Sequence, residues 1–197
     1  DAVAEIRGLR RLRIASIEPT TVEFGLLDRM ADPAHVLQPL LHLPLQSGSD
    51  RILEKMRRLY RMDHYREFVA EAVRRVPGLC LGTDVLVGFP GESAEDFAAT
   101  RSALLDLPFA YGHVFPYSRR EGTLSDKRKD PEVPEAEKSR RVAELRDLSA
   151  RRYRAFMEAE RGNVVDVLLE DPKADHFPGY TGNYIRVRIP RGGDDLR

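Results

Sequence analysis

Apolar positions recur in a strand-then-helix order along most of the chain. Short apolar runs predict buried strands near residues 12–17, 40–45, 79–89 and 111–117, because strands of a parallel sheet are covered on both faces. Between these runs, apolar residues return every three or four positions, as on the buried face of a helix. The pattern predicts four strand–helix units, which right-handed crossovers would join into one parallel sheet.

Residues that typically begin or end helices support the division into four strand–helix units. Ser49 is a good N-cap for the helix after the second strand, and a further helix from about Asp63 is stopped by Pro77 and Gly78. Ser93 with Asp96 has the spacing of a capping box, with Asp in place of the usual Glu. Three of the predicted helices therefore have a chemical reason to begin or end where they do.

The pattern changes after residue 118. A polar, proline-bearing loop over 119–134 leads into a long helix predicted to end near residue 160. Residues 164–170 and 184–189 alternate as strands do, with a turn-rich stretch at 178–183 between them. We predict part of a barrel plus a connecting helix over 1–160 and the beginning of a small all-β module over 162–197, which is too short for a full five-stranded barrel.

Composition narrows the class of protein. The chain has 197 residues, 42% apolar and 32% charged, with zero formal net charge, so its overall charge favours neither nucleic acid nor a membrane. Its one cysteine, Cys80, excludes an internal disulfide and a cysteine-built metal site, and its apolar flanks predict a buried thiol. We expect a cytoplasmic protein, and a fragment, since the chain begins at Asp1 and four units cannot close an eight-stranded barrel.

Polar side chains gather at the end of the second predicted strand. The Gln46 amide can donate and accept, Ser47 and Ser49 add hydroxyls, and the following helix offers free backbone N–H groups. This combination suits a carboxylate or a ribose. Arg58 could return to the same ligand only through a bend in the chain. The alternative interpretation is helix capping with Arg58 on the surface.

The third predicted strand carries a second polar group. Asp84 interrupts an apolar run and is predicted to share a face with Leu86 and Gly88, where it could accept hydrogen bonds from ribose hydroxyls or an amine. Gly88 would let the backbone approach a ligand closely. The alternatives are a structural Asp84 bonded to a neighbouring arginine and a Glu92 that complements a helix dipole.

Two histidines lie within predicted strands. His42 and His113 have no metal-ligand partner at a recognisable spacing, so the sequence predicts no metal site and favours core or hydrogen-bonding roles. The sequence also contains no phosphate-binding loop of the GxxxxGK type and no GxGxxG.

Three motifs together resemble the radical S-adenosylmethionine (SAM) methylthiotransferases, in their C-terminal half. They read HLPLQSGSDRIL at 42–53, TDVLVGFPGE at 83–92 and HVFPYS at 113–118. The branch acting on threonylcarbamoyladenosine in tRNA is most similar, through SIEP at 16–19, the same HVFPYS, and GYTGNY at 179–184.

The resemblance implies a fold and a cofactor. The fold would be part of an open (β/α) radical-SAM barrel, similar to a TIM barrel, followed by the start of a TRAM domain, a small RNA-binding β-barrel. SAM would lie across the strand C-termini. The SAM contacts predicted from the resemblance and the strand ends are Gln46, Ser47, Ser49, Arg58, Asp84, Gly88, Glu92, Phe115 and Tyr117.

The implied reaction is methylthiolation of C2 of the modified adenosine beside the tRNA anticodon. Two 4Fe-4S clusters would take part, one to cleave SAM to a radical and one to deliver sulfur, with a flavodoxin-type protein as reductant. The chain lacks the CxxxCxxC loop of the family. We therefore predict no cluster ligand and no catalytic residue in these residues, and no turnover by this chain alone.

The sequence leaves other functions open. The same chemistry on isopentenyladenosine in tRNA or on a ribosomal protein is the nearest alternative. A non-catalytic RNA- or nucleotide-binding module and a metabolic α/β enzyme without a cluster are the alternatives from other classes.

Overall fold

A three-stranded parallel sheet forms the centre of the molecule. The computed structural model describes residues 2–14, 16–127 and 129–191. Strands β1 (Leu40–His42), β2 (Cys80–Val87) and β3 (Tyr111–Pro116) lie in the order β1-β2-β3, and both pairs are parallel. The predicted α/β class with a parallel sheet is confirmed.

Five α-helices and a short 3-10 helix, Pro19–Thr21, accompany these strands in the described part of the chain. The α-helices are α1 (Phe24–Ala31), α2 (Asp50–Lys55), α3 (Met62–Arg75), α4 (Ala94–Asp106) and α5 (Glu135–Ala159). The predicted capping box is confirmed: the Ser93 hydroxyl accepts from the Asp96 N–H, and the Asp96 carboxylate accepts from the Ser93 N–H. Ser49 is the N-cap residue of α2, but its hydroxyl makes no capping bond, because that hydroxyl donates to Asp96 on α4.

The prediction of a strand at 12–17 is wrong for residues 12–14 and 16–17. Ala15 lies outside the residues that the structure describes. Leu12 makes only an isolated parallel bridge to Leu37, and the Ile17 N–H donates to the His42 carbonyl at 3.1 Å. The apolar side chains of this segment pack on the main core without continuous pairing. An apolar pattern indicates that a segment is buried, and this segment is buried without the continuous hydrogen bonding of a strand.

The core lies between one face of the parallel sheet and its helices. Along β2, Leu81, Thr83, Val85 and Val87 are at most 1% exposed. The alternating residues point to the opposite face, where Asp84 and Leu86 are partly exposed. Thr83 is tolerated in the core because its hydroxyl donates to the Leu43 carbonyl at 2.8 Å and accepts from the Leu45 N–H at 2.9 Å. One face of the sheet is thus covered by helices and the other is the candidate inner face of a barrel.

A second, antiparallel sheet follows α5. Its strands are β4 (Val167–Leu169), β5 (His176–Thr181) and β6 (Arg186–Pro190), in the order β4-β5-β6. The turn-rich prediction for 178–183 is wrong for residues 178–181, which lie within the central strand β5. Pro178 lies just beyond the last register pair of β4 and β5, Leu169 with Gly179, and its carbonyl still accepts from the Glu170 N–H at 2.8 Å; on the other side it pairs with Arg188 of β6. Residues 192–197 lie outside the described residues, and the division into two domains stays a prediction.

The second sheet contacts the first segment of the chain directly. The Arg11 guanidinium donates to the carbonyls of Tyr180 at 2.7 Å and Asp166 at 2.9 Å. The Asn183 amide donates to Glu160 at 3.1 Å, at the end of α5. Each helix in the described residues is too short or too polar to span a lipid bilayer.

Candidate functional site

A cleft of about 410 Å³ opens where β1 ends. Its lining includes Gln46, Arg58, Leu86 and Phe89, together with part of the loop after β3, residues 123–125. The cleft lies at the C-terminal end of the parallel strands, where open α/β sheets bind ligands. Gln46 and Arg58, which were predicted separately as SAM contacts, therefore line the same cleft.

Gln46 is held in an unusual backbone conformation. Its φ is +61°, in the left-handed region that non-glycine residues rarely occupy. Its N–H donates to the Asp84 carbonyl at 2.8 Å and its carbonyl accepts from the Leu86 N–H at 2.9 Å. These two bonds join the chain after β1 to β2 and fix the start of the Gln46 side chain at the mouth of the cleft.

Arg58 reaches the cleft through a bend just before it. Arg57 follows α2 with φ +58°, which supplies the chain bend that the sequence required. The Arg58 Nη1 donates to Glu18 at 2.7 Å, so a carboxylate from the first segment holds one end of the guanidinium. The Arg58 Nε is buried and has no hydrogen-bond partner among the described residues. An unpaired buried donor is costly, and a ligand acceptor would relieve that cost.

Ser47 and Ser49 point towards α4. The Ser47 hydroxyl lies 3.2 Å from the Thr100 hydroxyl, and the Ser49 hydroxyl donates to Asp96 at 2.6 Å. Arg51 also pairs with Asp96. Burial by itself would raise the pKa of Asp96, but the bonds from Arg51, Ser49 and Ser93 hold that pKa well below its usual range. These hydroxyls are thus occupied in fastening α2 to α4.

The turn after β2 is closed by a buried ion pair. Gly88 has φ +80°, and a Cβ there would meet Lys138 at 2.7 Å. The Gly88 N–H donates to Glu92 at 3.1 Å, and Arg141 of α5 donates to the other Glu92 oxygen at 2.6 Å. Burial raises the pKa of Glu92, against the opposing effect of Arg141. Glu92 therefore binds its own turn and α5, an outcome that neither the dipole interpretation nor local spacing indicated.

Tyr117 packs beside the same turn. Its ring meets Phe89 edge-to-face with 5.4 Å between centroids. Its hydroxyl is buried without a partner among the described residues, a second unpaired polar atom near the cleft.

A second cleft, of about 540 Å³, lies further down the inner face of the sheet. Asp84 and Phe115 line it, with His42, His113 and Arg13. Of the predicted SAM contacts, Gln46 and Arg58 line the first cleft and Asp84 and Phe115 line the second, whereas Ser47, Ser49, Gly88, Glu92 and Tyr117 line neither. The two clefts adjoin along β2, where Asp84 and Leu86 are alternate residues on one face. This arrangement confirms that Asp84 and Leu86 share a face.

Asp84 is paired by histidines, so the alternative of an arginine partner is wrong. The His42 Nε2 lies 3.0 Å and the His113 Nδ1 3.3 Å from the same Asp84 oxygen. The His42 Nδ1 lies 3.3 Å from the Tyr111 hydroxyl. Spacing along the sequence did not reveal this cluster, because its three residues come from three different strands. A prediction of the parallel register that pairs Asp84 with His113 could have indicated it.

An aromatic stack borders the second cleft. The rings of Tyr180 and Tyr184 are stacked with 4.5 Å between centroids, and the Arg13 guanidinium lies 3.9 Å above the Tyr184 ring. Tyr184 has φ +67° and exposes 37% of its area. Tyr180 and Tyr184 of the antiparallel sheet and its turn, with Arg13 from the first segment of the chain, thus form a cationic and aromatic surface next to the parallel sheet.

The fold and the strand-end site define a class of protein, and sequence comparison agrees. The family model of the Radical SAM superfamily matches residues 1–104, more than half of the 197 residues. The chain belongs to this superfamily.

Its curated relatives carry more specific names. The chain is 33% identical over 196 residues to the threonylcarbamoyladenosine tRNA methylthiotransferase MtaB of Bacillus subtilis (strain 168), covering 97% of this chain and 43% of that protein. It is 35% identical over 199 residues to the tRNA-2-methylthio-N(6)-dimethylallyladenosine synthase of Anaplasma phagocytophilum (strain HZ), covering 98% and 44%. The chain thus spans less than half the length of these relatives.

Solved structures support the fold. Escherichia coli coproporphyrinogen III oxidase (HemN), described as a radical SAM enzyme, matches 76% of this chain and 32% of its own with a TM-score of 0.51 and 16% identity. The Elp3 of Methanocaldococcus infernus matches 95% of this chain and 59% of its own with a TM-score of 0.50 and 13% identity. Together with the family match they confirm the predicted partial radical-SAM barrel.

The superfamily implies SAM and an iron–sulfur cluster, and the residues present fit these two groups differently. The unpaired Arg58 Nε beside Gln46 in an open cleft fits a polar cofactor such as SAM. Cluster iron is held by several thiolates, and the sequence has only Cys80. Cys80 is 2% exposed, as predicted, and burial raises its pKa to about 12. These residues therefore do not fit a 4Fe-4S cluster.

Proposed function

We propose that this chain is the SAM-binding and RNA-facing part of a tRNA methylthiotransferase that modifies C2 of N6-threonylcarbamoyladenosine next to the anticodon. The buried, unpaired Arg58 Nε in the cleft beside Gln46 carries the cofactor half of the proposal. The motifs at 16–19, 113–118 and 179–184 support the substrate half. The reductant would be a flavodoxin-type protein, the location the cytoplasm, and the ligands of two 4Fe-4S clusters would come from outside these residues.

SAM, when bound, supplies the adenosyl radical and the methyl group of this chemistry. The residues of the chain hold and orient it. Arg58, anchored by Glu18 at 2.7 Å, offers the Nε donor to a carboxylate. Gln46 offers an amide that can donate and accept, and its backbone bonds to β2 limit its movement.

The remaining predicted contacts would act through shape. Gly88 adopts a left-handed backbone with the Lys138 side chain packed where a Cβ would lie, and the Glu92–Arg141 pair fixes the turn that follows β2. Phe89 and Tyr117 form an apolar wall there, which would exclude water from a nucleoside. Asp84 and Phe115 border the adjoining cleft, where we place the substrate nucleotide, and residues 162–197 would supply a TRAM-like RNA-binding surface.

Mass spectrometry of tRNA nucleosides tests the proposal. Deleting the gene that encodes this chain is expected to abolish 2-methylthio-N6-threonylcarbamoyladenosine and to leave N6-threonylcarbamoyladenosine in its place. Re-introduced wild-type gene should restore the modification, and a gene carrying Arg58→Ala should restore less. Unchanged tRNA in the deletion strain would reject the substrate assignment.

Methylthiolation of dimethylallyladenosine is the second candidate. The 35% identity to the Anaplasma synthase favours it as much as the 33% identity to the Bacillus enzyme favours the first. The same nucleoside analysis separates them, because selective loss of the methylthio group from the dimethylallyl nucleoside would establish this candidate.

A further inference from the structure

The cluster of His42, Asp84 and His113 lies outside the cleft assigned to SAM. The three side chains project from adjacent parallel strands onto the inner face of the sheet, each from one strand. The potential ligand atoms, two imidazole nitrogens and one carboxylate oxygen, all lie within 4.8 Å of one another. No residue of this cluster was needed to hold SAM in the cleft beside Arg58.

The spacing of these atoms matches that of metal ligands. Two ligands bound to one tetrahedral ion at about 2.0–2.1 Å lie about 3.3 Å apart. The His42 Nε2 and His113 Nδ1 lie 3.0 Å and 3.3 Å from the same Asp84 oxygen. A small rotation of the exposed His113 would thus bring three ligand atoms around one ion without moving a strand.

The surroundings of the cluster also suit an ion. The second nitrogen of His42, Nδ1, lies 3.3 Å from the Tyr111 hydroxyl, the type of outer contact that orients ligating histidines. His42 is 12% exposed in its side chain and Asp84 23%, whereas His113 is 58% exposed. Two ligands are therefore fixed by packing, and the third, on the open cleft, leaves a path for an ion to enter.

We propose that His42, Asp84 and His113 form a binding site for a divalent first-row transition ion, with Zn²⁺ as the best match. Two imidazoles and one carboxylate are a known zinc donor set, and three protein ligands leave a position for water or a small anionic ligand. Such an ion would act on the inner face of the sheet as a Lewis acid or as an anchor for an anionic group. The site lies in the cleft where the substrate nucleotide is placed above, but binding of the ion can be measured without SAM or substrate.

Metal titration of the folded 197-residue chain tests this site. After removal of metal with a chelator, Co²⁺ is added and its visible absorption is followed, and Zn²⁺ is then added as a competitor. We expect one equivalent of Co²⁺ to bind with the intense absorption of a four- or five-coordinate ion and to be displaced by Zn²⁺. Circular dichroism before and after the titration confirms that the chain stays folded.

Variants assign the ligands. His113→Ala, at an exposed position, should weaken Co²⁺ binding at least 100-fold without unfolding the chain, and Asp84→Asn should do the same. Tyr111→Phe, which removes only the outer contact, should weaken binding about 10-fold. His64→Ala, at an exposed histidine on α3, is the matched control and should bind like wild type.

Two results would overturn the proposal. One is a folded wild-type chain that takes up no Co²⁺, which would leave Asp84 and its histidines as a hydrogen-bonded cluster. The other is binding that survives in His113→Ala or disappears in His64→Ala, which would locate the ion elsewhere.

Discussion

The eight residues of β2 divide between two faces of the sheet that have opposite roles. On the helix-covered face, Leu81, Val85 and Val87 are at most 1% exposed. On the inner face, Asp84 is partly exposed and meets two histidines. Because side chains alternate strictly along a strand, one apolar run can supply the core and still place a carboxylate in a cleft. Thr83 shows that a hydroxyl can lie on the covered face when its hydrogen bonds are satisfied there, so it is the charged residue of the run, Asp84, that marks the candidate functional face.

The largest expected effect comes from breaking the buried Glu92–Arg141 pair, which ties the end of β2 to the covered side. Arg141→Met should lower the free energy of unfolding by about 3–5 kcal/mol, because Glu92 is left as a buried, uncompensated charge. Denaturant unfolding measures the change. Arg140→Met, at the exposed neighbour that pairs with Glu137, should leave the unfolding midpoint unchanged. A small effect of Arg141→Met would mean that Glu92 does not remain as an uncompensated buried charge when Arg141 is removed.

A pair of leucines compares the two faces directly. Leu81→Ala on the covered face should cost about 2–5 kcal/mol, as for fully buried leucines. Leu86→Ala, on the partly exposed face, should cost clearly less because part of its area is already in water. Both variants are read by the same denaturant titration. Equal losses would show that the inner face is also a packed core.

The contribution of Asp96 to the stability of the helix-covered side depends on pH. Its pKa is lowered in the folded chain, so its bonds stabilise the fold above its unfolded pKa of about 3.9 and lose that effect as the pH falls below it. Asp96→Asn should cost about 1–3 kcal/mol near pH 7. The difference between variant and wild type should shrink on acidification from pH 6 to pH 3. A difference that stays constant with pH would contradict the role of its charge.

The smallest effect on stability is expected at Arg58, on the open side. Arg58→Ala removes an Nε that has no partner among the described residues together with a partly exposed ion pair to Glu18, so we expect a change below about 1 kcal/mol. SAM affinity, measured by calorimetry on the chain, should nevertheless fall about 10-fold, equivalent to about 1.4 kcal/mol. Arg66→Ala, at the exposed pair with Asp106, is the control. Unchanged SAM affinity in Arg58→Ala would remove this residue from the site.

Local patterns were enough for much of the architecture. The apolar runs, together with turn and helix-capping residues, predicted the strands at 40–45, 79–89 and 111–117 to within a few residues. They also predicted the Ser93 capping box. They could not distinguish a strand from a buried loop at 12–17, because both are apolar. Motifs placed Gln46 and Arg58 in one site, and the bend at Arg57 explains how they meet.

The sequence by itself determined which apolar stretches form the core, where several helices begin and which strand ends carry polar groups, since these depend on neighbours within a few positions. Only the tertiary structure decided the partners of the buried charges. Glu92 meets Arg141 across 49 positions, and Asp84 meets histidines from both neighbouring strands. The physical reason is that a charge leaving water takes whichever partner the packing brings within hydrogen-bond distance, and packing joins segments that no local pattern connects.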